Sequence, residues 1–231
     1  GGILRGSLDL DRAQKSELEQ GEAAIIIVHH LENSRSQRIL WMLEELGLSY
    51  EINRYERNKA TMLAPPELKR VHPLGKSPVI EDDGQVVAET GSIVEYLVDK
   101  ADGKLGAPAN RTDALRYRFW LHYAEGSMMP PLLLKLVLAR IPIMGKVAVK
   151  KIQPMIDVHL DYVESELSQR PWFAGAEMTA ADIMMSFPLE AARSRGGLNE
   201  SRPATIAWLA KVHARPAYQA GLKKGGPYAY A

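Results

Sequence analysis

Residues 24–55 read AIIIVHHLENSRSQRILWMLEELGLSYEINRY, and the order of patterns within them decides the fold. Residues 24–28 are short, apolar and β-branched, which fits a buried strand. A polar loop, 29–36, follows. Ile39, Leu40, Leu43 and Leu46 then recur at helical spacing, and Gly47 supplies a left-handed helix stop. Residues 49–55 alternate weakly and predict a second strand. Strand, helix and strand in this order make a parallel βαβ unit with a right-handed crossover.

Further along, residues 65–71 predict a short helix ending before Pro73. Residues 77–81 and 85–88 are two short strands, and Asp82-Asp83-Gly84 between them is a hairpin signal. Thr90 opens a helix with Ile93, Tyr96 and Leu97 on one side. Residues 101–110 hold two glycines and a proline and read as a linker. Strand signals stop there. Helices are predicted over 111–126, after the punctuating Pro130-Pro131, over 145–169 with an interruption at Pro154, and over 179–193 and 203–215. Thr179 lies three residues before Asp182, a variant of the capping box. The order β-α-β-α-β-β-α followed by helices alone predicts two domains. The boundaries are an extension or tag remnant at 1–23, an α/β domain at 24–103, a linker at 104–110 and an all-α domain at 111–231.

Several function classes are excluded by composition. With 29 basic and 28 acidic residues the net charge is +1, so nothing favours nucleic acid or an anionic membrane. The chain has no cysteine, which rules out disulfides, zinc thiolates and a protein thiol nucleophile, and fits a reducing compartment. The longest apolar run, 130–139, is broken by Lys135 and is far short of the roughly 20 residues that span a bilayer. Residues 1–23 lack the charged, apolar, small-residue order of a signal peptide. Adjacent His29 and His30 suggest a metal pair, but neighbouring strand residues face opposite ways, so no metal site is expected.

Four stretches carry a family resemblance: NSRSQRILWMLEELGLSYE (33–51), HPLGKSPVI (72–80), AETGSIVEYL (88–97) and TAADIMMS (179–186). In order and at this spacing, over residues 25–220, they resemble the cytosolic glutathione S-transferase family, with the serine-type bacterial and fungal members nearest. The resemblance implies a thioredoxin-like N-terminal domain, an all-helical C-terminal domain, a cytoplasmic homodimer and glutathione as co-substrate without a metal. It implies detoxification by joining glutathione to small hydrophobic electrophiles, with reduction of organic hydroperoxides as a companion activity. The alternative is a non-enzymatic glutathione-binding or assembly module of the same fold. A mixed-disulfide oxidoreductase would need the cysteine that is missing.

The same resemblance implies the site. Ser34 precedes a helix, where a hydroxyl either caps the helix or donates to a thiolate. Serine-type members place the catalytic Ser four residues before an Arg, and Ser34 to Arg38 fits. Ser36 is the rival hydroxyl and reads as the N-cap, while Asn33 offers a second hydrogen bond. No Tyr lies between Ile25 and Leu40, against the tyrosine-type classes. Ser77-Pro78 is expected to be cis, exposing the Ser77 backbone to the cysteinyl part of glutathione. Glu89 and Thr90 would hold the γ-glutamyl ammonium and carboxylate, and Lys76 the glycyl carboxylate. His72 and Asp182 are expected to be structural. The second substrate is expected between the domains at Tyr123, Ser127 and Met128, with Trp120 in the core.

Overall fold

The apolar run at the start of the α/β domain belongs to a longer strand than its composition suggests. The computed structural model describes residues 25–142 and 144–230, so Ala24 and the extension at 1–23 lie outside the described residues. Strand β1 (Ile26–Leu31) continues through His29 and His30, which the sequence pattern assigned to a loop. Pairing with neighbours overrides their polarity. β1 runs parallel to β2 (Tyr50–Tyr55) from Ile26↔Tyr50 to Leu31↔Tyr55. Each imidazole also finds a partner: His29 bonds Glu81 at 2.7 Å and the Tyr55 hydroxyl at 2.8 Å, and His30 meets the Ser36 hydroxyl at 2.9 Å.

Helix α1 (Ser36–Leu46) crosses between β1 and β2 and ends at Gly47, whose φ of 73° is the left-handed stop the sequence predicts. The short helix α2 (Leu68–Val71) leads to β3 (Val79–Asp82), which is antiparallel to β1. β3 and β4 (Gln85–Ala88) form the expected hairpin. Asp83 and Gly84 both take positive φ, 47° and 72°, as a two-residue turn matched to strand twist requires. The sheet order is β2-β1-β3-β4, and α3 (Thr90–Lys100) closes the domain.

The second domain is helical. α4 (Arg111–Tyr123) passes through a π-helical turn (Ala124–Met128) into α5 (Met129–Leu138). Pro130 and Pro131 sit at the start of α5, directly after the π-helical turn, and do not break the helical path. α6 (Met144–Leu167) carries Pro154 within it. α7 (Ala180–Ala191) is buried at every residue and forms the axis of the domain. The Asp182 carboxylate accepts from the Thr179 N–H at 2.9 Å and the Phe173 N–H at 3.0 Å, which confirms its structural role. Trp120 belongs to the core, with Phe173 at 4.6 Å, and Phe173 in turn meets Trp208 of α8 (Pro203–His213) at 5.1 Å.

One helix was not anticipated. α9 (Pro216–Gly225) packs on α1, with Tyr218 edge-on to Trp41 at 5.5 Å and Arg215 bonded to Glu45. With the sheet on one side and the helical domain on the other, α1 is covered around its axis, which is why Gln37 and Arg38 are buried beside its leucines. The helices meet closely at Gly221, where a Cβ would stand 3.0 Å from the Trp41 nitrogen and 3.2 Å from the Leu40 carbonyl carbon. We expect Gly221→Val to cost about 1–3 kcal/mol through overpacking. An unchanged urea midpoint for that variant would contradict the close approach.

Two buried groups give opposite pH signatures. Burial, reinforced by Arg54, lowers the His30 pKa from 6.5 to about 4, so the unfolded chain takes up a proton there that the folded chain refuses. Its stabilising contribution is complete above pH 6.5 and is lost as pH falls toward 4. Burial raises the Asp182 carboxyl from 3.8 to about 6 against the hydrogen bonds it accepts, so the folded chain keeps a proton the unfolded chain releases. Its contribution is lost as pH rises through that window. In urea unfolding at pH 5 and pH 7.5, His30→Asn should therefore gain stability at pH 5 relative to pH 7.5, and Asp182→Asn should lose it. The shift should be about 2 kcal/mol for His30→Asn and about 1–1.5 kcal/mol for Asp182→Asn. Parallel behaviour of the two variants would refute the assignment.

Candidate functional site

The amide that ends β1 organises the loops around the site. Leu31 N–H is shared between the Ser36 and Ser77 hydroxyls, each at 3.2 Å, and Ser77 Oγ donates onward to the His29 carbonyl at 2.8 Å. The Ser77–Pro78 peptide is cis. Ser77 and Pro78 thus form a turn held against β1, just before β3 begins at Val79.

A cavity opens beside that turn. Lys76, Ser77, Pro78, Glu89 and Thr90 all line it, so the residues expected to bind one ligand are brought to one place. Thr90 is the first residue of α3, with its neighbour Glu89 at φ 71° and ψ 125°. That conformation costs a non-glycine residue roughly 1–3 kcal/mol, and such strain tends to gather at ligand sites. It turns the α3 N-terminus, with its unpaired N–H groups, toward the cavity. His72, expected to be structural, lies on the same wall.

Arg35 and Glu125 also line the cavity, and neither was anticipated. Arg35 Nε donates to both Glu125 oxygens, at 2.9 and 3.0 Å, across 90 residues of sequence. Arg38 bonds the same carboxylate from beneath and donates to the Met184 carbonyl at 2.6 Å. Burial pushes the Glu125 carboxyl up, but Arg38 and Arg35 outweigh it and hold the group below the usual carboxylate range. Burial lowers the Arg38 pKa, and Glu125 opposes that shift. The only hint in the sequence is Arg35 standing between two serines ahead of a helix.

Ser34 is not among the lining residues and is 6% exposed. Its Oγ lies 2.8 Å from Ser36 Oγ and accepts from the Ser36 N–H at 3.2 Å. The N-cap expected of Ser36 is not formed. Arg35 holds the cap position, Ser36 is the first helical residue, and its hydroxyl is drawn toward the Leu31 backbone and His30 by the sheet edge beside it. The Asn33 side chain is engaged too, since its Oδ1 accepts from the Ala229 N–H at 2.7 Å.

The residues expected for a second substrate do not join this cavity. Tyr123 and Ser127 line a separate one with Leu115, Phe119 and His122, and Met128 is 1% exposed in the core. Within the π-helical turn Glu125 lines one cavity and Gly126 and Ser127 the other. Burial, with Tyr162 adding to it, raises the Tyr123 pKa to about 12, and the Tyr123 hydroxyl pairs with His159.

Comparison with known proteins agrees with this geometry. Residues 23–99 match the glutathione S-transferase N-terminal domain family, and residues 129–216 match the C-terminal domain family. Glutathione S-transferase 3 of Schizosaccharomyces pombe is 37% identical over 87% of this chain and 88% of its own length. Glutathione S-transferase 1 of Saccharomyces cerevisiae is 36% identical over 87% of this chain and 95% of its own. The crystal structure of a glutathione S-transferase from Actinobacillus pleuropneumoniae superposes with a TM-score of 0.79 at 34% identity, covering 89% of this chain and 95% of that one. A cis turn beside β1, a helix N-terminus facing one cavity, and relatives matched over nearly their whole length lead to one conclusion: the chain belongs to the glutathione S-transferase family.

Proposed function

We propose that this chain binds glutathione in extended form in the Lys76–Thr90 cavity, ionises its thiol and transfers the sulfur to electrophiles. The observation that carries the reading is that residues far apart in sequence, Lys76 to Pro78 and Glu89 to Thr90, converge on one cavity at a cis turn. The exposed Ser77 backbone pairs the cysteinyl unit as an added strand would. Thr90 and the α3 N-terminus receive the γ-glutamyl carboxylate, Glu89 its ammonium, and Lys76 the glycyl carboxylate.

Ser34 is the proposed thiolate donor. Its oxygen accepts from the Ser36 N–H and lies within bonding distance of the Ser36 hydroxyl. With the Ser36 proton directed to the Leu31 carbonyl, the Ser34 proton lies toward the Ser36 oxygen and would turn from it to the sulfur when glutathione binds. The thiol proton leaves to solvent. The thiolate then attacks an electrophilic carbon, the new S–C bond forms, and the leaving group departs with its electron pair. With an organic hydroperoxide the thiolate attacks the terminal oxygen and the O–O bond breaks to an alcohol. A second glutathione then reduces the resulting sulfenic acid, giving the disulfide and water. Positioning and charge stabilisation supply the acceleration. The same reading makes the protein a cytoplasmic homodimer acting in detoxification. It is supported by membership of the family.

Turnover of a reactive aryl halide and of cumene hydroperoxide, with glutathione affinity measured alongside, tests this. Ser34→Ala should lower kcat about 10–100-fold with little change in glutathione affinity, while Thr90→Val should weaken affinity about tenfold. Glutathione binding without turnover on any electrophile would favour a non-enzymatic module.

A further inference from the structure

The cavity wall opposite the cis turn carries an asymmetric charge cluster. Glu125 is one carboxylate between two guanidinium groups, so the Arg35–Glu125–Arg38 group has one net positive charge. Arg38 is buried with its side chain 1% exposed, so the charge that meets the cavity is that of Arg35, whose side chain is 32% exposed. Both hydrogen bonds of Arg35 among the described residues leave from Nε, which does not commit its terminal nitrogens. The Phe187 ring, 5.2 Å from the Arg35 guanidinium and 5.7 Å from that of Arg38, backs both cations with a low-dielectric surface. Arg35 is thus braced from behind by a carboxylate and an aromatic ring, and it borders the cavity directly where Ser34 does not.

We propose that Arg35 is a catalytic residue whose terminal N–H groups hold the sulfur of bound glutathione as the anion. Glu125 fixes the guanidinium and tempers its charge. This rests on the cavity being the glutathione site, but it does not require Ser34 to be the donor.

Opposite charge changes on the same pair separate this role from simple bracing. The absorbance of the bound thiolate is titrated against pH in wild type, Arg35→Ala, Arg35→Lys and Glu125→Gln, with glutathione affinity measured calorimetrically in each. Arg35→Ala should raise the thiol pKa by about one unit, leaving about tenfold less thiolate below it and a kcat lower by a similar factor. Arg35→Lys keeps the charge and should restore most of the thiolate. Glu125→Gln removes the compensating charge and should move the thiol pKa downward. A bracing role alone would shift Arg35→Ala and Glu125→Gln the same way, and that result overturns the proposal. So does an unchanged titration in Arg35→Ala with glutathione still bound. The Arg35 variants decide the matter by themselves, because a side chain this exposed can be replaced without unfolding the chain. Failure of wild type to bind glutathione would instead overturn the functional reading, and this inference with it.

Discussion

One backbone amide, Leu31 N–H, joins the three pieces of chain from which the site is built. Pairing between β1 and β3 runs only to His29↔Val79, so Leu31 has no strand partner on that side. Two serine hydroxyls take the strand's place, one from the start of α1 and one from the cis turn. Each bond is 3.2 Å, longer than the usual 2.9–3.0 Å, as expected when one proton serves two acceptors. Because Ser77 Oγ also donates to the His29 carbonyl, the turn cannot shift along β1 without breaking a polar contact within the structure. The cavity therefore inherits the rigidity of the sheet.

The second constraint is electrostatic and joins the domains. Arg38 is withdrawn from water while Glu125 stays partly exposed, and an ion pair with a buried member seldom gains stability over well-packed apolar residues. Removing Glu125, however, would leave the buried Arg38 charge without its carboxylate, so the pair ties α1 to the helical domain. A second buried carboxylate, Glu190, is satisfied in a different way, by the Tyr218 hydroxyl of α9 at 2.7 Å and by Tyr228 of the tail. From there the tail reaches back to Asn33, next to Ser34, through the Ala229 amide. The loop that carries the proposed thiolate donor is in this way tied to the last residues of the chain.

Much of the fold was legible because its causes are local. The βαβ order, the Gly47 stop, the Asp83-Gly84 turn and the helical second domain each follow from patterns within a dozen residues. The cis turn and the shared cavity of Lys76 to Pro78, Glu89 and Thr90 agree with what the family resemblance implied. The errors share a cause of the opposite kind. His29 and His30 look like loop residues until Glu81, Tyr55 and Ser36 are placed beside them. Ser36 looks like a cap until a sheet edge competes for its hydroxyl.

The amino-acid sequence by itself determined most of the strands and helices and where the hairpin and the helix stop fall. Periodicity, turn chemistry and capping act between near neighbours. Only the tertiary structure decided that α9 covers α1 and that Arg35 and Glu125 line one cavity. Those outcomes depend on how two separately folded surfaces meet across 90 or more residues, and no local pattern encodes that meeting.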